Sequence, residues 1–106
     1  MDTAAQLAGR DRLDAIVAER LGGAAIDQGP MFSTTGWRTG GAVFAFVGRD
    51  GALIVKLPEG RVRELVEAGD GEPMTVGERT RREWVRIPPH REWESLVVQA
   101  HAFLAV

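Results

Sequence analysis

Cysteine is absent from the 106 residues. That excludes disulfides, thiolate nucleophiles, cysteine-ligated zinc and iron–sulfur clusters together, and it fits a reducing compartment. Long apolar runs are also lacking. The longest is Ala42 to Val47, far short of the ~20 residues that a spanning helix needs. Asp2 stands where a secretory leader would carry positive charge, and no apolar stretch follows it. The expectation is a cytoplasmic protein with no membrane association.

Lysine is almost missing: Lys56 is the only one, and the other cations are arginines. A GC-rich genome produces this bias, as does selection for bidentate contacts to carboxylate or phosphate. Net charge is −2, whereas a domain built to grip nucleic acid is usually strongly basic. The global balance therefore disfavours nucleic acid as partner but leaves room for a local patch.

Apolar residues make up 44% of the chain, close to the globular norm of about 45–50%. One domain over 1–106 is expected, with residues 1–10 as an N-terminal extension. Leu13, Ile16, Val17 and Leu21 recur at helical steps, which predicts an amphipathic helix capped by Asp11 and ended by Gly22-Gly23. An earlier start, with Thr3 and Gln6 as a capping box, is opposed by Gly9.

Pro30 to Trp37 reads as a strand. Ala42 to Val47 reads as a central one, with Val43, Ala45 and Val47 on one face and Phe44 and Phe46 on the other. Gly48-Arg49-Asp50-Gly51 predicts a hairpin turn leading into Ala52 to Leu57. Pro58 opens a short helix that Gly69 closes. Met74 to Val76 reads as an edge strand, Gly77 to Arg82 as a polar connection, and Glu83 to Ile87 as the last strand before Pro88-Pro89. A final helix runs from about Arg91. The predicted class is α+β: an antiparallel sheet of about five strands flanked by helices, in the order α-β-β-β-α-β-β-α.

Catalytic and metal motifs are missing. His90 and His101 are eleven residues apart, which fits no metal spacing. Glu92 and Glu94 diverge around a helix, and Glu64 and Glu67 share a solvated face. Ser33 and Ser95 have no base near in sequence. Gly36 to Gly41 lacks the Lys-Ser/Thr ending of a phosphate loop. No catalytic residue, metal or cofactor is assigned.

The suggestive constellation is basic and aromatic. Arg79, Arg81, Arg82 and Arg86 surround Trp84, while Trp37 and Arg38 lie at another loop and Lys56 on a third strand. If the strands are neighbours, Trp37, Arg38, Lys56, Arg82, Trp84 and Arg86 form a surface that holds phosphates or stacks a base. Against this stands the plainer expectation that Glu78 and Glu83 neutralise the arginines and that the tryptophans are core.

Gly29-Pro30-Met31-Phe32, then Val43-Phe44-Ala45-Phe46, then Leu53-Ile54-Val55-Lys56-Leu57 resemble the N-terminal domain of TfoX/Sxy proteins. Glu83-Trp84-Val85-Arg86-Ile87 and a helix carrying Trp93, Leu96 and Ala100 are similar to the related MmcQ/YjbR group. The resemblance covers about residues 11 to 105. TfoX-like chains show Met-Phe-Gly-Gly where this one has Met31-Phe32-Ser33-Thr34, which points to the broader group. The resemblance implies a sheet flanked by helices. It implies no established activity, although some members carry a DNA-binding label.

Three functional expectations follow. The first is a non-enzymatic regulatory module acting through protein contacts, with a homodimer allowed by an exposed strand edge or helix face. The second is nucleic-acid or phosphate-ligand binding through the arginine–tryptophan surface. The third is a small-ligand pocket lined by Met31, Phe32, Trp37 and Trp84.

Overall fold

Thr3, not Asp11, caps the first helix. In the computed structural model, which describes residues 3–31 and 34–105, α1 spans Ala4–Leu21, and the Thr3 hydroxyl accepts the Gln6 N–H at 3.0 Å. Residues 4–10 are thus helix, not an extension. Gly9 is tolerated because the helix touches the sheet there. A Cβ at Gly9 would lie 2.7 Å from Val47 Cγ1 and 2.9 Å from the Gly51 carbonyl oxygen. Gln6 is buried beside it and donates its side-chain N–H to the Val47 carbonyl at 3.1 Å.

Six antiparallel strands follow, one more than expected. They are β1 (Ile26–Met31), β2 (Thr34–Thr39), β3 (Ala42–Val47), β4 (Leu53–Lys56), β5 (Glu72–Val76) and β6 (Arg79–Ile87). The extra strand arises because the stretch read as one strand is the end of one and the start of another. Met31 pairs with Thr34, and Ile26 with Thr39. Nothing between Met31 and Thr34 carries a glycine or Asn-Gly signal, so the reversal is invisible in the sequence. The β3–β4 hairpin is as predicted. Gly51 sits at φ +86°, and Asp50 accepts the Ala52 N–H at 3.2 Å.

Helix α2 (Glu59–Glu67) separates β4 from β5, and α3 (Glu94–Leu104) follows β6. Gly69, at φ +78°, ends α2 while Asp70 and Gly71 donate back to the Leu65 carbonyl. The strand order is β1-β2-β3-β4-β6-β5, so β1 and β5 are the edges.

All three helices cover one face of the sheet. Val47, Leu53, Val55, Val85 and Ile87 pack there against Leu13 and Val17 of α1, Leu65 of α2, and Val97 and Ala100 of α3. Trp93 is also in this core, fully buried just before α3. Phe44 joins this face, contrary to expectation. Trp37 pairs with Ala45 but Arg38 with Val43, so Phe44 is the extra residue of a β-bulge. Its ring meets His101 of α3 edge-on at 5.5 Å. Phe46, beyond the bulge, faces the other way and packs edge-on against Trp84 at 5.7 Å. Burial of these side chains is the main stabilising force, at ~25 cal/mol per Å² of apolar surface removed from water.

Candidate basic groove beside Trp84

Strand β6 is longer than the sequence suggested, and this builds the site. Residues 79–82, expected as a connection, continue the strand back to a turn at Gly77, whose φ is +63°. The pairing with β5 then jumps. Pro73 pairs with Val85 and Met74 with Arg81, which leaves Arg82, Glu83 and Trp84 without partners on β5. On the other side β6 stays tied to β4. Lys56 pairs with Trp84, and the Leu57 N–H donates to the Glu83 carbonyl at 2.9 Å. The strand is paired on one edge and its pairing is interrupted on the other.

At this interruption lies a groove of about 520 Å³ lined by Lys56, Arg79, Thr80, Arg81, Arg82, Glu83 and Trp84. Four cations face one carboxylate. Lys56 Nζ stands 5.8 Å from the centroid of the Trp84 ring, a loose cation–π contact. Arg79, Arg81 and Arg82 are exposed and form no ion pair among the described residues. Neither Glu78 nor Glu83 forms an ion pair with them, although Glu83 lines the same groove.

The other expected members of the surface fare differently. Arg38 lies across from Asp27 on β1 and donates to both carboxylate oxygens, at 3.1 and 2.7 Å. This hydrogen-bonded guanidinium holds the Asp27 carboxyl below its ordinary pKa, and Asp27 in turn raises Arg38. Arg86 bridges Asp50 of the β3–β4 turn and Glu72 of β5. Trp37 points to the helix side, where its indole N–H donates to Asp14 of α1 at 2.9 Å. Of the six residues, Lys56, Arg82 and Trp84 converge. Arg38 and Arg86 are paired with acids, and Trp37 is on the opposite face.

Arg79 and Arg81 line the groove but were not part of the six-residue surface expected from the sequence. The sequence signal was their spacing around Trp84; what it lacked was the knowledge that residues 79–82 are strand. The pocket expected from Met31, Phe32, Trp37 and Trp84 does not assemble in that form. Met31 and Trp84 line a slot of about 20 Å³ with Met74, Val76 and Arg81, room for about one water. Phe32 lies outside the described residues, as does Ser33.

A second groove, of about 320 Å³, lies between α2 and the start of α3. Its arginines are engaged: Arg61 with Gln99 and Glu64, Arg91 with Asp70 and the Gly69 carbonyl. Among the described residues no group of three His, Asp or Glu side chains is placed to hold a metal ion. No described helix is long and apolar enough to cross a membrane. No family model matches the chain, and no curated protein or solved structure matches it.

Proposed function

We propose that this protein is a non-enzymatic binding module, acting in the cytoplasm, whose recognition surface is the basic groove beside Trp84 and whose partner is polyanionic. One observation carries the reading. Most arginines elsewhere are tied to carboxylates or carbonyls, whereas Arg79, Arg81 and Arg82 line one groove with Lys56 and Trp84 and form no ion pair among the described residues. Several unpaired cations lining one depression raise the local positive potential and attract an anion.

An apolar protein interface has less support. Among the described residues the exposed large apolar side chains, Leu7, Val76 and Val98, lie on three different elements. The weight therefore moves from protein contacts in general to a partner defined by its charge. The kinship with the TfoX/YjbR-like group belongs to the same proposal and rests on the residues quoted above. A homodimer through the β1 or β5 edge is a secondary proposal, read by sedimentation at several concentrations.

The test is a titration with inorganic polyphosphate and with heparin from low to moderate salt. Affinity should fall steeply as salt rises, and Arg79→Gln with Arg82→Gln should weaken it at every salt concentration. If neither polyanion binds at low salt, the proposal fails.

A further inference from the structure

Resting on that reading, we infer that the anion is single-stranded nucleic acid, with an unpaired base stacked on Trp84 and its flanking phosphates on the arginines. The argument starts from the indole. Trp84 is only partly buried and forms a wall of the groove together with all four cations. A site for charge alone has no use for an aromatic face there, since a ring adds nothing to the binding of a phosphate chain. Its orientation is set on one side by the edge-on contact with Phe46, centroids 5.7 Å apart at 66°. The main-chain tie of β6 to β4 fixes the backbone that carries it. A ring fixed before binding loses little freedom on stacking.

Lys56 is the remaining neighbour of the ring. At 5.8 Å from the centroid its ammonium is at the outer limit of a cation–π contact. It has no carboxylate partner among the described residues, so it is free to swing from the indole to a phosphate. Alternating a stacking platform with guanidinium groups is how single strands are held without regard to sequence. In a duplex the bases are already stacked on each other, and their faces are closed to an indole. Arg82, Glu83 and Trp84 have no pairing partners on β5, so that strand does not occupy their free edge.

The experiment compares four probes on the full chain at equal charge and low salt: a 12-mer single strand, its duplex, inorganic polyphosphate and polyglutamate. The single strand should bind about tenfold or more tightly than polyphosphate, and it should quench tryptophan emission. Trp84→Leu should abolish both the preference and the quenching, while Trp84→Phe retains part of the preference. Should the Trp84 variants fail to fold, Lys56→Gln in the intact sheet must weaken single-strand and polyphosphate binding alike, with the quenching retained. Equal or tighter binding of polyphosphate, polyglutamate or duplex, or a single strand bound without quenching, overturns the inference and leaves the polyanion reading standing. No binding by any probe overturns both.

Discussion

Lys56 and Trp84 are cross-strand partners on β4 and β6, with the lysine ammonium 5.8 Å from the centroid of the indole. Each is on the sheet face that the helices leave open, and each lines the groove. The only lysine of the chain is thus placed over the one tryptophan that is neither core nor tied to α1. Replacing it with glutamine should leave stability nearly unchanged and remove one counterion-releasing contact. The slope of log affinity against log salt for a single strand should shrink by about 0.7, measured by fluorescence titration.

Arg86 should behave in the opposite way. It joins Asp50 and Glu72, both about half exposed, so the bridge is partly screened. Arg86→Ala leaves two carboxylates facing each other and is expected to cost about 1 kcal/mol in urea unfolding. The salt slope of polyanion binding should not change, because this charge is already spent on acids.

Trp37 separates structure from binding. Its indole N–H donates to Asp14 at 2.9 Å on the helix side of the sheet. Trp37→Phe should lower stability by about 0.5–1 kcal/mol and leave polyanion affinity intact. An affinity loss matching that of Trp84→Leu would show that the two tryptophans serve one surface after all.

Two glycines should respond with opposite sign to alanine. At Gly9 the new methyl meets Val47 Cγ1 at 2.7 Å and the Gly51 carbonyl oxygen at 2.9 Å, and a hairpin backbone cannot yield cheaply. The overpacking cost of ~1–3 kcal/mol outweighs the ~1 kcal/mol gain in helix propensity. At Gly60, in α2, nothing lies within 4 Å, and alanine should stabilise by up to about 0.5–1 kcal/mol. Thermal melts of the two variants check both signs.

Glu94 begins α3, and its carboxylate accepts the Trp93 N–H at 3.2 Å. The N–H of Glu94 itself, then that of Trp93, together with the charges of Arg12 and Arg20, lower its pKa against a smaller opposing effect of burial. A carboxyl with a lowered folded pKa binds fewer protons folded than unfolded, so its contribution is full above the ordinary glutamate value. It is lost as pH falls through the lowered one. Glu94→Gln should cost about 0.5 kcal/mol near neutral pH, and the two proteins should converge in stability on the acid side.

Short-range rules made several elements legible. The heptad-like spacing of Leu13, Ile16, Val17 and Leu21 marked α1, Asp50-Gly51 marked the β3–β4 hairpin, and Pro58 and Gly69 bracketed α2. Each signal is local: a period, a turn pair, a cap. They were enough for the α+β class and the antiparallel sheet, and they drew attention to arginines around Trp84.

Tertiary structure decided the rest. The start of α1 depended on Gly9, a poor helix former that is needed for contact with Val47 and Gly51 from another hairpin. The facing of Phe44 depended on a bulge, and one extra residue turns a side chain to the other face without altering the alternation in the sequence. Above all, the groove depended on partners far along the chain. Asp27, Asp50 and Glu72 engage Arg38 and Arg86, while among the described residues no acid forms an ion pair with Arg79, Arg81 or Arg82. The sequence by itself determined which residues carry charge and aromatic surface; only pairing between strands decided which of those charges were left unspent.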